Sequence, residues 1–112
     1  MSQLPLIVKK VWGREIWLVN IDEYCCKLLD VHKGACGSLH YHIKKRETFM
    51  IAIGKVRLEL GQQVFTMKAG PKTITIPPGV PHRFKGLKQS SILEISTHHE
   101  DSDVVRLEES RA

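Results

Sequence analysis

The chain has 112 residues, 17 Lys and Arg against 12 Asp and Glu, and a formal net charge of +5, a size that suits one compact domain over residues 1–112 and buries roughly 65% of the unfolded surface. Its 42% hydrophobic and 26% charged residues exclude disorder as the main state. No apolar run approaches the ~18 residues of a membrane span, and the positive residues are scattered among only 6% aromatics, which argues against a nucleic-acid partner.

Met1-Ser2-Gln3-Leu4-Pro5 lacks the basic segment followed by a long apolar one that a secretory signal needs, so the chain is expected in the cytoplasm. Three cysteines agree with that. Cys25 and Cys26 are adjacent, which suits a disulfide badly, and Cys36 stands apart, so all three read as reduced thiols.

Short apolar or alternating runs then recur between Gly, Pro and polar turns. They predict strands over Glu15–Asn20, Tyr24–Val31, Ser38–Ile43, Thr48–Ile53, Val56–Leu60, Val64–Met67, Thr73–Ile76, His82–Phe84 and Ile92–Thr97. In Val56-Arg57-Leu58-Glu59-Leu60 the Val and both Leu share a face, and Gly61-Gln62-Gln63 turns that strand into the next. Pro77-Pro78-Gly79 stops the run ending at Ile76. The tail from Asp101 to Ala112 spaces Val104, Val105 and Leu107 like a helix, and Asp101, Ser102 or Asp103 is placed to cap it, so a short C-terminal helix is predicted. Eight to ten strands with almost no helix make an all-β sandwich or barrel.

Histidines carry the strongest chemical signal. His40 and His42 are two apart in a strand, so both imidazoles point to one face. Glu47 follows across Lys44-Lys45-Arg46 and begins the next strand, and His82 arrives after the Pro77-Pro78-Gly79 turn. Three imidazoles and a carboxylate suit one divalent transition metal, Mn, Fe, Co, Ni or Zn, and leave two open positions in an octahedral shell. Each residue alone also reads as an ordinary structural or surface group; the spacing of the four is what singles them out.

Gly34, five residues, His40-x-His42, four residues, Glu47, six residues and Gly54 match the first cupin motif. Gly70, Pro77-x-Gly79, two residues and His82 resemble the second, with six residues rather than five before Pro77 and with Gly86 where Asn is common. The chain therefore resembles the cupin superfamily. That implies a small antiparallel jelly-roll barrel with His40, His42, Glu47 and His82 as metal ligands.

Landmarks outside the ligands narrow the resemblance. Val11-Trp12-Gly13, Lys27-Leu28-Leu29-Asp30-Val31, Ile76-Pro77-Pro78-Gly79-Val80-Pro81-His82-Arg83 and Asp101-x-Asp103-Val104-Val105-Arg106 look like the type II mannose-6-phosphate isomerase domain. The chain departs from it at His40, where Gln is usual, and at Lys45, where Arg is usual. His40-x-His42-x-x-Lys45-x-Glu47 is closer to the D-lyxose isomerase type, in which the Lys is implicated in catalysis. Both are aldose–ketose isomerases, so the resemblance implies a sugar or sugar-phosphate substrate and a cis-enediol pathway. A proton must leave the carbon beside a carbonyl and return to its neighbour. Glu47, doubling as a ligand, is the first candidate base, Glu94 the other, and Lys45 the candidate polarising cation.

Two of these assignments stay open in the sequence: Glu94 shares a face with Ile92 and Ser96, which is either pocket or solvent, and Lys45 reads equally as a solvated turn lysine. A phosphate would need cations, for which Arg83, Arg106, Lys27 and Lys9 are weak candidates. Tyr41 points away from the histidines into packing or a dimer contact, Trp12 and Trp17 read as core or interface anchors, and His98-His99 as a cap on the pocket rim or, more often for such a pair, a solvated strand end. Nothing is spaced to activate Cys36 as a nucleophile. A metal-dependent dioxygenase and a non-enzymatic metal- or sugar-binding cupin are the rival functions. Exposed edge strands on a small barrel favour a homodimer.

Overall fold

A computed structural model describes residues 4–112; Met1, Ser2 and Gln3, part of the segment read above for a leader, lie outside the described residues. Eleven strands form two antiparallel sheets: β1 (Leu6–Lys10), β2 (Gly13–Asn20), β3 (Cys25–Val31), β4 (Leu39–His42), β5 (Glu47–Ile53), β6 (Lys55–Leu60), β7 (Gln63–Lys68), β8 (Thr73–Ile76), β9 (His82–Gly86), β10 (Ser90–Ser96) and β11 (Val104–Glu108). One sheet runs β1-β2-β3-β10-β5-β8 and the other β11-β4-β9-β6-β7. The architecture is the all-β barrel or sandwich that the alternation implied, and it is cupin-like, as the resemblance implied. No described helix is long and apolar enough to cross a membrane.

Period-two burial builds the interior, and its chemistry changes along each strand. On β3 the inward residues run Lys27, Leu29, Val31; on β5, Glu47, Phe49, Ile51; on β9, His82, Phe84; and on the antiparallel β10, Glu94 then Ile92. These four strands thus set Lys27, Glu47, His82 and Glu94 toward one end of the barrel and Leu29, Val31, Phe49, Ile51, Phe84 and Ile92 toward the other. Trp12, Leu29, Val31, Phe49, Ile51, Val56, Leu58, Ile76, Phe84 and Ile92 close the apolar end as one core. Trp12 meets Phe84 edge-on at 5.0 Å, and Phe49 continues that contact to His82 at 6.4 Å, so the core buttresses the polar end.

Gly54, the last residue of the first motif, turns β5 into β6 at φ +88°, and a Cβ there would collide with Ser90 and the Gln89 carbonyl. Only glycine satisfies both demands.

The predicted strands are present with ends shifted by one or two residues, and β1 and β11 are additional. The predicted C-terminal helix is not formed. Asp101–Asp103 is one 3-10 turn without a side-chain cap, and Val104–Glu108 extends as β11, pairing Val104 with His42, Val105 with Tyr41 and Arg106 with His40. Two consecutive β-branched valines fit a strand better than a helix, and the open edge of β4 supplies the partner. Cys25, Cys26 and Cys36 are free thiols, two of them buried, and burial pushes the Cys25 and Cys26 thiols up.

Candidate metal centre and cavity

The polar end holds a cavity of about 470 Å³ between the sheets. His40 on β4 is the register partner of His82 on β9, so one cross-strand pair sets two imidazoles side by side. His42 follows two residues along β4, and the three offer nitrogens that all lie within 4.8 Å of one another. Glu47 enters from the opposite sheet, its Oε2 3.0 Å from His42 Nε2 and 3.2 Å from His82 Nε2. His40, His42 and His82 therefore converge on one point, and Glu47 reaches His42 and His82 from the opposite sheet.

Their outer contacts orient them. A carbonyl only accepts, so His82 Nδ1–H donates to Val80 O at 3.0 Å and His40 Nδ1–H to Ser38 O at 3.1 Å, leaving Nε2 of each as a bare lone pair. The cluster is nonetheless incomplete as protein alone. His82 Nε2 and Glu47 Oε2 are buried and close, yet misaligned for hydrogen bonding, and each remains without a partner. Orphaned buried groups are costly, and a divalent cation is the group that satisfies three imidazole lone pairs and a carboxylate together. The donor set fits a borderline transition metal.

Electrostatics agree. Burial, reinforced by the neighbouring His82 and His42, pushes His40 down to about 3, which keeps it neutral as a ligand must be. For Glu47 burial alone would raise the carboxyl, but the approach of His42 and His82 and the charge of Lys45 outweigh it and hold it well below the ordinary range. His82 moves the other way: burial lowers it, and contact with Glu47 more than compensates.

Lys45 and Glu94, both open in the sequence, face this cavity. Lys45 Nζ lies 2.7 Å from Glu94 Oε2, with side chains only 2% and 6% exposed. Register explains it: on β10, Glu94 pairs with Phe49 and Ser96 with Glu47, so the face holding Ile92, Glu94 and Ser96 is the inner one. Lys45 precedes β5 in a turn whose backbone is pinned by Asp103, which accepts from Lys44 N at 2.8 Å and Lys45 N at 3.0 Å. That carboxylate, read as a helix cap, secures the loop carrying Lys45. Burial would lower Lys45, but Glu94 and Glu47 outweigh it and raise it.

Several readings change here. His99 is no solvated end: its Nδ1 accepts from Lys45 Nζ at 3.2 Å and its Nε2–H donates to Asp101 at 2.8 Å. Burial, then the charges of Lys27 and Lys45, pushes it down to about 4. Trp17 lines the cavity, T-shaped to His99 at 5.1 Å, and Trp12, part of the core as expected, borders the cavity too. Lys27, weak as a phosphate candidate in the sequence, is 2% exposed and opens on the cavity, and Arg106 lines it too. Arg83 is structural, bonded to Gly37 O, Glu108 and Glu109 O, and Lys9 is exposed away from the cavity. A lysine in the inward register of β3 was the available sign for Lys27; for His99 it was the place of the His98-His99 pair at the pocket rim.

The profile of the cupin domain family matches residues 27–96, more than half of the chain. A mannose-1-phosphate guanylyltransferase from Salmonella muenchen is 24% identical over 107 residues, which make up 92% of this chain and 22% of that protein. The chain thus spans about a fifth of the curated relative's length. Oxalate decarboxylase from Bacillus subtilis superposes with a TM-score of 0.83 at 16% identity, covering 93% of this chain and 30% of that one. A variant of Streptomyces PAC13, solved with uridine, gives 0.78 at 13%, covering 92% and 84%. At such identities the likeness is one of fold.

Proposed function

Because this chain belongs to the cupin domain family, as its match over residues 27–96 establishes, we propose that it is a metal-dependent aldose–ketose isomerase of a sugar or sugar phosphate. The observation that carries the reading is the buried Lys45–Glu94 pair on the wall of the cavity that holds the imidazole cluster. An acid and a cation that are not themselves in the cluster are what proton transfer between adjacent carbons requires.

His40, His42, Glu47 and His82 would hold the metal, which supplies Lewis-acid stabilisation of negative charge on the substrate oxygens. Glu94 takes the proton from the carbon beside the carbonyl at its carboxylate and returns it to the neighbouring carbon, while the hydroxyl proton of the first carbon passes to the carbonyl oxygen, so that C=O and C–OH exchange places. Glu47, the other candidate base, is engaged by two imidazoles and is better suited as a ligand. Lys45, kept protonated by the two carboxylates, donates to the substrate oxygen that gains charge. Phe49 and Leu29 supply an apolar floor that limits water around the transferred proton. The relative named for mannose 1-phosphate supports a sugar phosphate as substrate, and three free thiols support a cytoplasmic setting.

The reading is tested by coupled assays of protein loaded in turn with Mn, Co, Ni, Fe and Zn. Mannose, lyxose, mannose 6-phosphate and glucose 6-phosphate are the substrates. Turnover of at least one is expected, falling by at least about a hundredfold in Glu94→Gln. Silence across the panel with metal bound would transfer the assignment to a dioxygenase or a binding protein.

A homodimer is part of the same proposal. Ile7, Ile16, Leu28, Leu93 and Met50 stand in register across five strands on the outer face of the six-stranded sheet, with Ile95 52% exposed beside them. A second copy presents the same uncharged row, so a two-fold axis pairs apolar with apolar. Light scattering should show a dimer for the wild type and a monomer for Leu93→Lys; a monomeric wild type at micromolar concentration would end the idea.

A further inference from the structure

Lys27 is a lysine in a position that ordinarily holds Leu or Val. It lies in the inward row of β3 between Cys25 and Leu29, 2% exposed, with its ammonium 4.1 Å above the Trp17 ring. Its nearest carboxylate, Glu15, is 3.8 Å away, and the close contact of that Glu15 oxygen is with Trp17 Nε1–H at 2.9 Å. Among the described residues Lys27 Nζ donates no hydrogen bond, and burial pulls its pKa down. A buried ammonium with idle donors costs stability unless something in the functional state meets it.

The rest of the cavity points to what that is. Three of its carboxylates are engaged, Glu94 by Lys45, Asp101 by His99 and Glu15 by Trp17, and Glu47 stands against the imidazoles as the carboxylate of the metal set. Of its four cations, Lys10 stands 3.9 Å from Glu15, Lys45 is paired, and Lys27 and Arg106 make no hydrogen bond among the described residues. Four cations against four carboxylates balance to zero, and a divalent ion on the imidazoles would make the sum +2. Both the idle donors and the charge call for an anion.

We infer that the cavity carries a second ligand subsite, built on Lys27 over Trp17 and completed from the facing sheet by Arg106, that takes the phosphate monoester end of the substrate. Lys27 on β3 is separated from Glu47 on β5 by β10 alone, so the two lie on strands two spacings, about 10 Å, apart. A six-carbon chain with a terminal phosphate bridges that interval, its carbonyl end on the Glu47 side of Glu94, which stands on β10 between the two as the register partner of Lys27 and of Phe49, and its phosphate at Lys27. Sugar substrate comes from the isomerase reading above; the subsite rests on the cavity's own charges.

Calorimetric titration of chelator-treated, metal-free protein tests it without any turnover. The probes are mannose 6-phosphate, mannose and mannonate. Mannose 6-phosphate is expected to bind at least tenfold more tightly than mannose or mannonate. Lys27→Met should remove that margin and Arg106→Gln should reduce it severalfold. Met fills the volume of a buried cation without leaving a charge, so the barrel should persist; exposed Arg106 gives an independent variant in any case. Equal binding of the phosphorylated and free sugar overturns the inference, as does a margin untouched by either substitution. Mannonate binding as tightly as mannose 6-phosphate would overturn the phosphate assignment in favour of a carboxylate. A chain that binds mannose 6-phosphate through Lys27 and turns nothing over keeps the subsite and loses the isomerase. One that isomerises free sugars and shows no margin does the reverse.

Discussion

With His82 replaced by Ala, the rise in melting temperature that a divalent metal gives the wild-type chain is expected to shrink to about a third. A metal present at a thousand times its dissociation constant stabilises a native state by about 4 kcal/mol. For a domain near 100 residues each kcal/mol moves the midpoint by roughly 4–8 °C, so the wild-type rise should be about 15 °C or more. His82 is 1% exposed and contributes one of three imidazole nitrogens and one of the two contacts to Glu47. Losing an outer-shell partner of a metal ligand commonly costs 10–100-fold in affinity. Losing the ligand itself should cost at least about 100-fold, or 2.7 kcal/mol. Ser38→Ala is the graded control, because it removes only the hydroxyl 2.9 Å from His40 Nδ1, and should give a smaller loss. Scanning calorimetry with and without Zn or Mn reads both. An undiminished rise in His82→Ala would mean that the imidazole cluster is not where the metal binds.

What could be read from the sequence was whatever local geometry encodes. His40 and His42 share a face because a strand has period two, and Glu47 follows after a turn too short to carry it away. The alternation on β3, β5 and β10 was equally local, so the class of fold and most strand positions followed from it. What escaped depended on pairings between distant segments. Nothing near Glu94 says that β10 lies between β3 and β5; that order alone turns the face of Ile92, Glu94 and Ser96 inward. The tail was misread for the same reason. Asp101 and Asp103 are good helix caps in isolation, but β4 offers Val104–Glu108 an open edge, and Asp103 is drawn to the amides of Lys44 and Lys45 instead. His99 became part of the cavity only because Lys45 is buried beneath it. Lys27 is the instructive case. Its inward register was visible, and a charged residue in such a register is a sign of function whatever the neighbouring motifs say.

Lys45→Met is expected to lower turnover at least a hundredfold and also to destabilise the fold, whereas adding Glu94→Gln should return stability without returning activity. The two side chains are 2% and 6% exposed and 2.7 Å apart. Removing one partner of a buried ion pair commonly costs 3–5 kcal/mol, because the remaining charge is left unmatched. Lys27 also acts on Glu94 from the neighbouring strand, so the lower end, about 3 kcal/mol, is expected. In the double variant neither member of the pair leaves a charge behind, and stability should come within about 1 kcal/mol of wild type. The coupling energy from this cycle, measured by urea denaturation, should therefore exceed about 1.5 kcal/mol. Alkali should reproduce part of the effect in the wild type. Glu94 and Glu47 raise Lys45 above its ordinary 10.5, so the stability it supplies is complete below about pH 10 and is lost as pH rises through the higher folded value. In Lys45→Met that alkaline loss should be absent. Across the neutral range Lys45 therefore stays an ammonium and serves as a donor, never as the base, so the pH–rate profile should show no limb belonging to it between pH 6 and about 9. A Lys45→Met variant as active as wild type would reduce the pair to a structural ion pair. Additive losses in the double variant would separate the two residues altogether, and the isomerase reading would lose the acid–base couple on which it stands.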